Sequence, residues 1–366
     1  MIDSISIENF RCFNHLKIKG FKSINLIGGQ NNSGKTALLE ALLLAISPSG
    51  NNIDNLRQFR NENGNQIRKN SGKVWNYFFY NQDKLQTIKI VATHVENKST
   101  NVELLCTSDV DTVLQSLSKT LGNGNERMYE LMLRNFSDNS LLNVKGNSSV
   151  KPFNYFIIPN KEKGGFDYLG NIITNYNDSQ SFLPTSRRPT DDYLAELYSK
   201  TRENKKIKVL NDILTVLDNR IEGSEIDAPG GEPVIKLLLN DGESFPLAMF
   251  GDAVRKITEL VLVLLNMSSK VLLIDEIENG IHFTKHRELW TKLFQIVGDD
   301  IQIFATSHSL EMIKAFNDVA YQTEFHDKAM YFEMARQQKT NKIIVNPMDM
   351  EILNTEILTE NSFRGE

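Results

Sequence analysis

Two stretches of this chain hold residue types in spacings that do chemistry on phosphates. Gly29-Gln30-Asn31-Asn32-Ser33-Gly34-Lys35-Thr36 fits the pattern G-x-x-x-x-G-K-[ST] throughout, a loop whose backbone amides cradle phosphate oxygens. It follows the apolar run Ser23 to Ile27 and precedes Leu38, Leu39, Leu42, Leu43 and Ile46, which recur at helical spacing until Pro48 and Gly50. The loop is therefore expected to join a strand to a helix. In that setting Gly29, Asn31, Asn32, Ser33, Gly34 and Ala37, with the positive end of the helix, would surround a β-phosphate. Lys35 would neutralise the β- and γ-phosphates, and the Thr36 hydroxyl would ligate Mg2+.

The second stretch is Val271-Leu272-Leu273-Ile274-Asp275-Glu276, an apolar strand ending in two acids. Asp275 at the strand end is placed to hold Mg2+ through water, and Glu276 to accept a proton from an attacking water. Beyond it, the run Ile301 to Phe304 leads into Ala305-Thr306-Ser307-His308-Ser309, which puts His308 at the carboxyl edge of the same sheet, in reach of a γ-phosphate. Lys35, Glu276 and His308 form the expected catalytic set, with ATP and Mg2+ as the cofactors.

These groups need a frame that brings them together. Ile2, Ser4, Ile5 and Ile7 alternate as in a β-strand, and Asn51 to Gly72, crowded with Asn, Gly, Arg and Lys, predicts a loop of low structural content. Strand signals return in Thr87 to Ala92, Val102 to Leu105 and Phe153 to Ile158. Helices are expected from Val113 to Phe136, with a turn at Gly122-Asn123-Gly124, and across the charged segment Thr190 to Arg220, which could project from the body. Val234 to Leu239 predicts a strand, and Leu247 to Asn266 and Thr284 to Val297 predict helices. Strands separated by helices at the two chain ends argue for a parallel α/β sheet with the middle inserted between them. The expected division is residues 1–110 as the first part of an ATPase domain, 111–230 as a mainly helical insertion and 231–366 as the second part.

Composition narrows the setting. The chain has 366 residues and a formal net charge of −5, without the basic surplus of a nucleic-acid coat protein. Two cysteines, Cys12 and Cys106, are too few for a disulfide framework. The most apolar run, Leu260 to Met267, falls far short of a membrane helix, and Met1-Ile2-Asp3-Ser4 offers no signal peptide. The expectation is a cytoplasmic protein without membrane contact.

Ile7-Glu8-Asn9-Phe10-Arg11, the phosphate loop, Leu273-Ile274-Asp275-Glu276-Ile277-Glu278-Asn279-Gly280-Ile281-His282 and Phe304 to Ser309 together resemble the ABC-type ATPase heads shared by SMC proteins, RecF and the OLD family. The wording is most similar to OLD-type ATPases. Ser181-Phe182-Leu183-Pro184-Thr185-Ser186-Arg187 is a weaker match, and the rest of 51–230 matches loosely. The resemblance implies a P-loop NTPase of ABC-ATPase type, a mixed or parallel sheet flanked by helices. It implies that Asp275 binds Mg2+, Glu276 is the base, His308 is the switch histidine and Arg11 approaches the nucleotide. It also implies a homodimer with ATP sandwiched between the phosphate loop of one copy and a signature motif of the other. The signature position is held by Leu247 to Lys256, where Gly251 and Asp252 open a helix without the usual serine-glycine-glycine core. OLD-like ATPases resemble components of anti-phage systems. The residues after His308 are too few for a Toprim nuclease, so a separate effector protein is expected. The alternative is a RecF-like ATPase that binds DNA through Arg57, Arg60, Arg68 and Lys69, or through Arg202, Lys205, Lys206 and Lys208.

Overall fold

The computed structural model describes residues 1–359 apart from 61, 63, 97, 108–110, 112, 114, 116–140, 149–150, 172–180, 268, 299 and 324. Its centre is the helix Lys35–Ile46, in which Ala37 to Ala45 are buried without a break. A helix apolar on all sides must be covered on all sides, and here two sheets cover it.

One cover is a sheet in which Ile343–Met348, Ala329–Arg336, Ile24–Gly29, Gln302–Thr306, Val271–Ile274 and Phe182–Leu183 lie side by side in that order. All neighbours pair in parallel except the first two. Both faces are buried, which explains the unbroken apolar runs of its inner strands. Val271, Leu273 and Phe304 pack toward the central helix. Leu272, Ile274 and Ile303 pack toward an outer layer that includes the helices Asp191–Glu203, Ile207–Leu217, Gly251–Asn266, His286–Val297 and Leu310–Tyr321. The other cover is an antiparallel sheet of Phe13–Lys19, Ile2–Phe10, Ile88–His94, Ser99–Thr107, Leu141–Asn147, Pro152–Asn160 and Gly165–Asn171, in that order.

A single side chain stitches the two sheets. Gln302, fully buried, accepts from the Ile2 N–H at 2.8 Å and donates to the carbonyls of Ile2 at 2.8 Å and Lys22 at 3.0 Å.

Three expectations are corrected. Residues 51–72 are not a loop: Ser49 caps a helix Gly50–Gln58, a second helix spans Gly64–Lys69, and Ile53, Leu56 and Ile67 are buried. Arg57, 1% exposed, lies over the rings of Trp75 and Phe166, so a cation that looked like surface is part of the core. The 111–230 segment is not mainly helical among the described residues, because Leu141–Asn147, Pro152–Asn160 and Gly165–Asn171 extend the antiparallel sheet. Most of the helix expected from Val113 to Phe136, with its Gly122–Gly124 turn, lies outside the described residues. Nor does 190–220 project: Leu194, Leu197, Leu210, Ile213 and Leu214 pack into the outer-layer core.

Replacing Gln302 with Ala strands buried backbone groups of Ile2, and unfolding in denaturant is expected to show a loss of about 3 kcal/mol.

Candidate active site

The phosphate loop turns directly off the strand Ile24–Gly29, and its shape depends on glycine at two points. Gly34 sits at φ 97° immediately before the helix. Gly29 sits at φ 130°, where a Cβ would lie 2.1 Å from the Met334 carbonyl. Asn32 is also left-handed, at φ 62°, which turns successive amides toward a common concavity. The Lys35 ammonium folds back onto the carbonyls of Gly29 at 2.6 Å and Gln30 at 2.8 Å. Burial lowers its pKa, opposed by the charges of Glu278, Asp275, Glu333 and Glu276.

Because Gln302–Thr306 lies between the phosphate-loop strand and Val271–Ile274, the two sequence motifs meet at one sheet edge. Thr36 Oγ1 lies 3.2 and 3.1 Å from the two carboxylate oxygens of Asp275. Thr306 Oγ1 donates to Asp275 Oδ1 at 2.7 Å and accepts from the Glu276 N–H at 2.8 Å. Burial raises the Asp275 pKa, the two hydroxyls lower it, and Glu276 and Glu40 raise it further. A buried carboxylate beside a hydroxyl, carrying an unrelieved cost of charge, suits a hard cation. The Ser33 hydroxyl, 1% exposed and without a partner, is a further unmet polar group on the loop. The residues present therefore fit a magnesium-bound phosphate chain.

A cavity of 1310 Å³ opens over this edge, larger than the few hundred cubic ångströms a small ligand requires. It is lined by Asn31, Asn32, Ser33, Gly34, Lys35, Thr36 and Ala37 from the loop side and by Asp275 and Glu276 opposite. Arg11 lines it too, yet its guanidinium is engaged by Glu40 at 2.8 Å and by the carbonyls of Tyr77 at 2.9 Å and Leu56 at 3.4 Å. His308 stands outside this lining, half-exposed, with its N–H at 2.7 Å and its Nδ1 at 3.0 Å from Glu278 Oε1. Gly251 and Asp252 are exposed and do not line their own chain's cavity.

Sequence reasoning missed the wall residues Arg60 and Arg336 and the buried Glu40 that two wall arginines bind. Arg60, placed above among candidate DNA contacts, instead points Nε at Glu40 at 2.8 Å within the cavity wall. Glu40, 1% exposed on the central helix, thus holds both Arg11 and Arg60. Arg336 reaches the Asn32 carbonyl from a distant strand, at 3.4 and 3.2 Å. No local pattern marks any of these, because their partners are far away in sequence.

The fold and this edge define a P-loop ATPase built like an SMC head. The chain belongs to the AAA_21 family, described as "AAA domain, putative AbiEii toxin, Type IV TA system", which matches residues 24–314. It is 28% identical over 361 residues to an ATP/GTP phosphatase of Helicobacter pylori, covering 91% of this chain and 92% of that protein. It is 27% identical over 123 residues to the DNA double-strand break repair Rad50 ATPase of Saccharolobus solfataricus, covering 33% of this chain and 13% of the relative. In fold it is similar to the Smc head domain of Pyrococcus furiosus bound to the C-terminal domain of ScpA, with TM-score 0.51, 8% identity and coverage of 98% and 99% of the two chains.

Asp275→Asn tests the buried charge. A carboxyl whose folded pKa is raised destabilises the fold above that pKa, and the penalty fades as pH falls toward the unfolded value. In EDTA at pH 7 the variant is expected to melt about 2 °C above wild type. That gap should close on acidification, and magnesium should raise the melting temperature of wild type only.

Proposed function

We propose that the protein hydrolyses ATP with Mg2+ and that ATP draws two copies together to control a separate effector protein. The observation that carries this reading is the approach of Thr36 to Asp275, at 3.1 Å across 239 residues of sequence. It is supported by the near full-length similarity to a protein named ATP/GTP phosphatase.

In this reading Lys35 leaves the Gly29 and Gln30 carbonyls for the β- and γ-phosphate oxygens. Thr36 and Asp275 would hold Mg2+, which would supply charge neutralisation for the leaving diphosphate. Glu276 takes a proton from the water that attacks the γ-phosphorus as the bond to the bridging oxygen breaks. Glu278 fixes His308 through Nδ1, which leaves Nε2 to meet the γ-phosphate. Arg60, with its side chain 42% exposed at the cavity wall, adds positive charge beside the phosphates.

Pairing is supported by an exposed apolar side chain beside Gly251: Met249, in the short turn Leu247–Phe250, is 72% exposed. Gly251 and Asp252 would then face the triphosphate of the second copy. The OLD-type wording of the motifs favours a defence setting, with the effector on another chain. A second reading, DNA binding, draws on the partial Rad50 similarity and on the turn carrying Arg202, Lys205, Lys206 and Lys208, all exposed. Arg57, buried, drops out of it.

Glu276→Gln is expected to lower turnover about 10²- to 10⁴-fold while ATP stays bound, as read by phosphate release beside nucleotide titration. Light scattering should show this variant as a dimer in ATP and a monomer without it; a monomer under both conditions removes the pairing step. DNA affinity that falls steeply with salt would move the assignment to the second reading.

A further inference from the structure

The peptide that carries Glu276 has an unusual shape and an unusual support. Glu276 is left-handed, at φ 49°, in a region that side chains other than glycine enter at a cost. Its N–H is held by Thr306 Oγ1, and its carbonyl accepts from the Asn279 N–H at 3.0 Å and from the ammonium of Lys256. Lys256 comes from the helix Gly251–Asn266, which has no other part in the cavity. Its ammonium faces Glu278, Glu276, Asp275 and Glu259, and burial lowers its pKa. A partly desolvated cation directed at a backbone carbonyl, with four carboxylates near it, is a specific arrangement; an exposed lysine would stay in water.

The same helix touches the loop after the two acids a second time. Gly280, at φ 80°, lies so close to the helix start that a Cβ there would stand 3.3 Å from the Ala253 nitrogen. The opening turns of the helix are therefore joined to the segment 275–280 at two points, one of them charged.

We propose that Lys256 is a positioning residue for hydrolysis. By holding the Glu276 carbonyl it keeps this peptide left-handed and aims the carboxylate at the water site. It also makes the helix start a lever, so that displacement of Gly251 to Lys256 is passed to the base. The proposal rests on Glu276 acting as the base.

The test uses the full chain with Lys256→Met, which keeps most of the stem and removes the donor, and Lys256→Arg, which restores one. Lys256→Met is expected to lower single-turnover hydrolysis about 10- to 100-fold, leaving ATP affinity within about threefold and the melting temperature unchanged. Lys256→Arg should recover part of the rate. Lys256→Met combined with Glu276→Gln should be no slower than Glu276→Gln alone, because both changes act through one carboxylate. A wild-type rate in Lys256→Met, a fall in affinity or melting temperature that matches the loss of rate, or full additivity in the double variant overturns the proposal. Glu276→Gln alone separates the two claims: if it keeps wild-type turnover, the base assignment itself fails, whereas an inactive Glu276→Gln beside a fully active Lys256→Met sinks only the positioning role.

Discussion

The arrangement depends on a buried carboxylate that the fold holds between two hydroxyls. Asp275 is 7% exposed, and its oxygens receive Thr36 from the phosphate-loop helix and Thr306 from the neighbouring strand. Removing a carboxylate from water is costly unless polar partners or a cation compensate. Two hydroxyls compensate in part, and its raised pKa records the remainder. A divalent ion that neutralised Asp275 would relieve that remainder and so stabilise the place where the two motifs meet.

From this point the charges extend outward in linked steps. Thr306 joins Asp275 to the Glu276 amide, Lys256 takes the Glu276 carbonyl, and Glu278 takes His308. The buried Glu40 holds Arg11 and Arg60, which line the cavity. Asp275 thus holds two hydroxyls, Glu40 two cations and Glu278 the His308 ring, and few of these side chains can shift without disturbing a neighbour. The central helix makes this possible by lying between two sheets, so that Glu40 is supported by packing on every side.

Much of the site was legible in the sequence because its core motifs are local. Glycines at 29 and 34, a lysine and a threonine at fixed offsets, and an apolar strand ending in two acids each encode their own backbone shape and chemistry over a few residues. The parallel strands were legible for a similar reason, since burial on both faces leaves unbroken apolar runs such as Val271 to Ile274. Of the antiparallel strands beyond residue 140, Pro152–Asn160 was legible as Phe153 to Ile158, whereas Leu141–Asn147 and Gly165–Asn171 were harder to read, because polar residues interrupt their alternation and Gly146 and Gly170 lie within them.

What the sequence determined by itself is local: which loop carries the phosphate-loop pattern, which strand end bears the acids, and in what order they come. Tertiary structure decided which charges work together. Arg57 became core, Arg60 entered the cavity wall, Arg336 closed on Asn32, and Lys256 reached the peptide of Glu276. Each of these depends on a partner or packing surface brought close by the fold. A charged side chain reads the same in a linear sequence whether it faces water or a carbonyl; only packing, which sets desolvation and distance, separates the two.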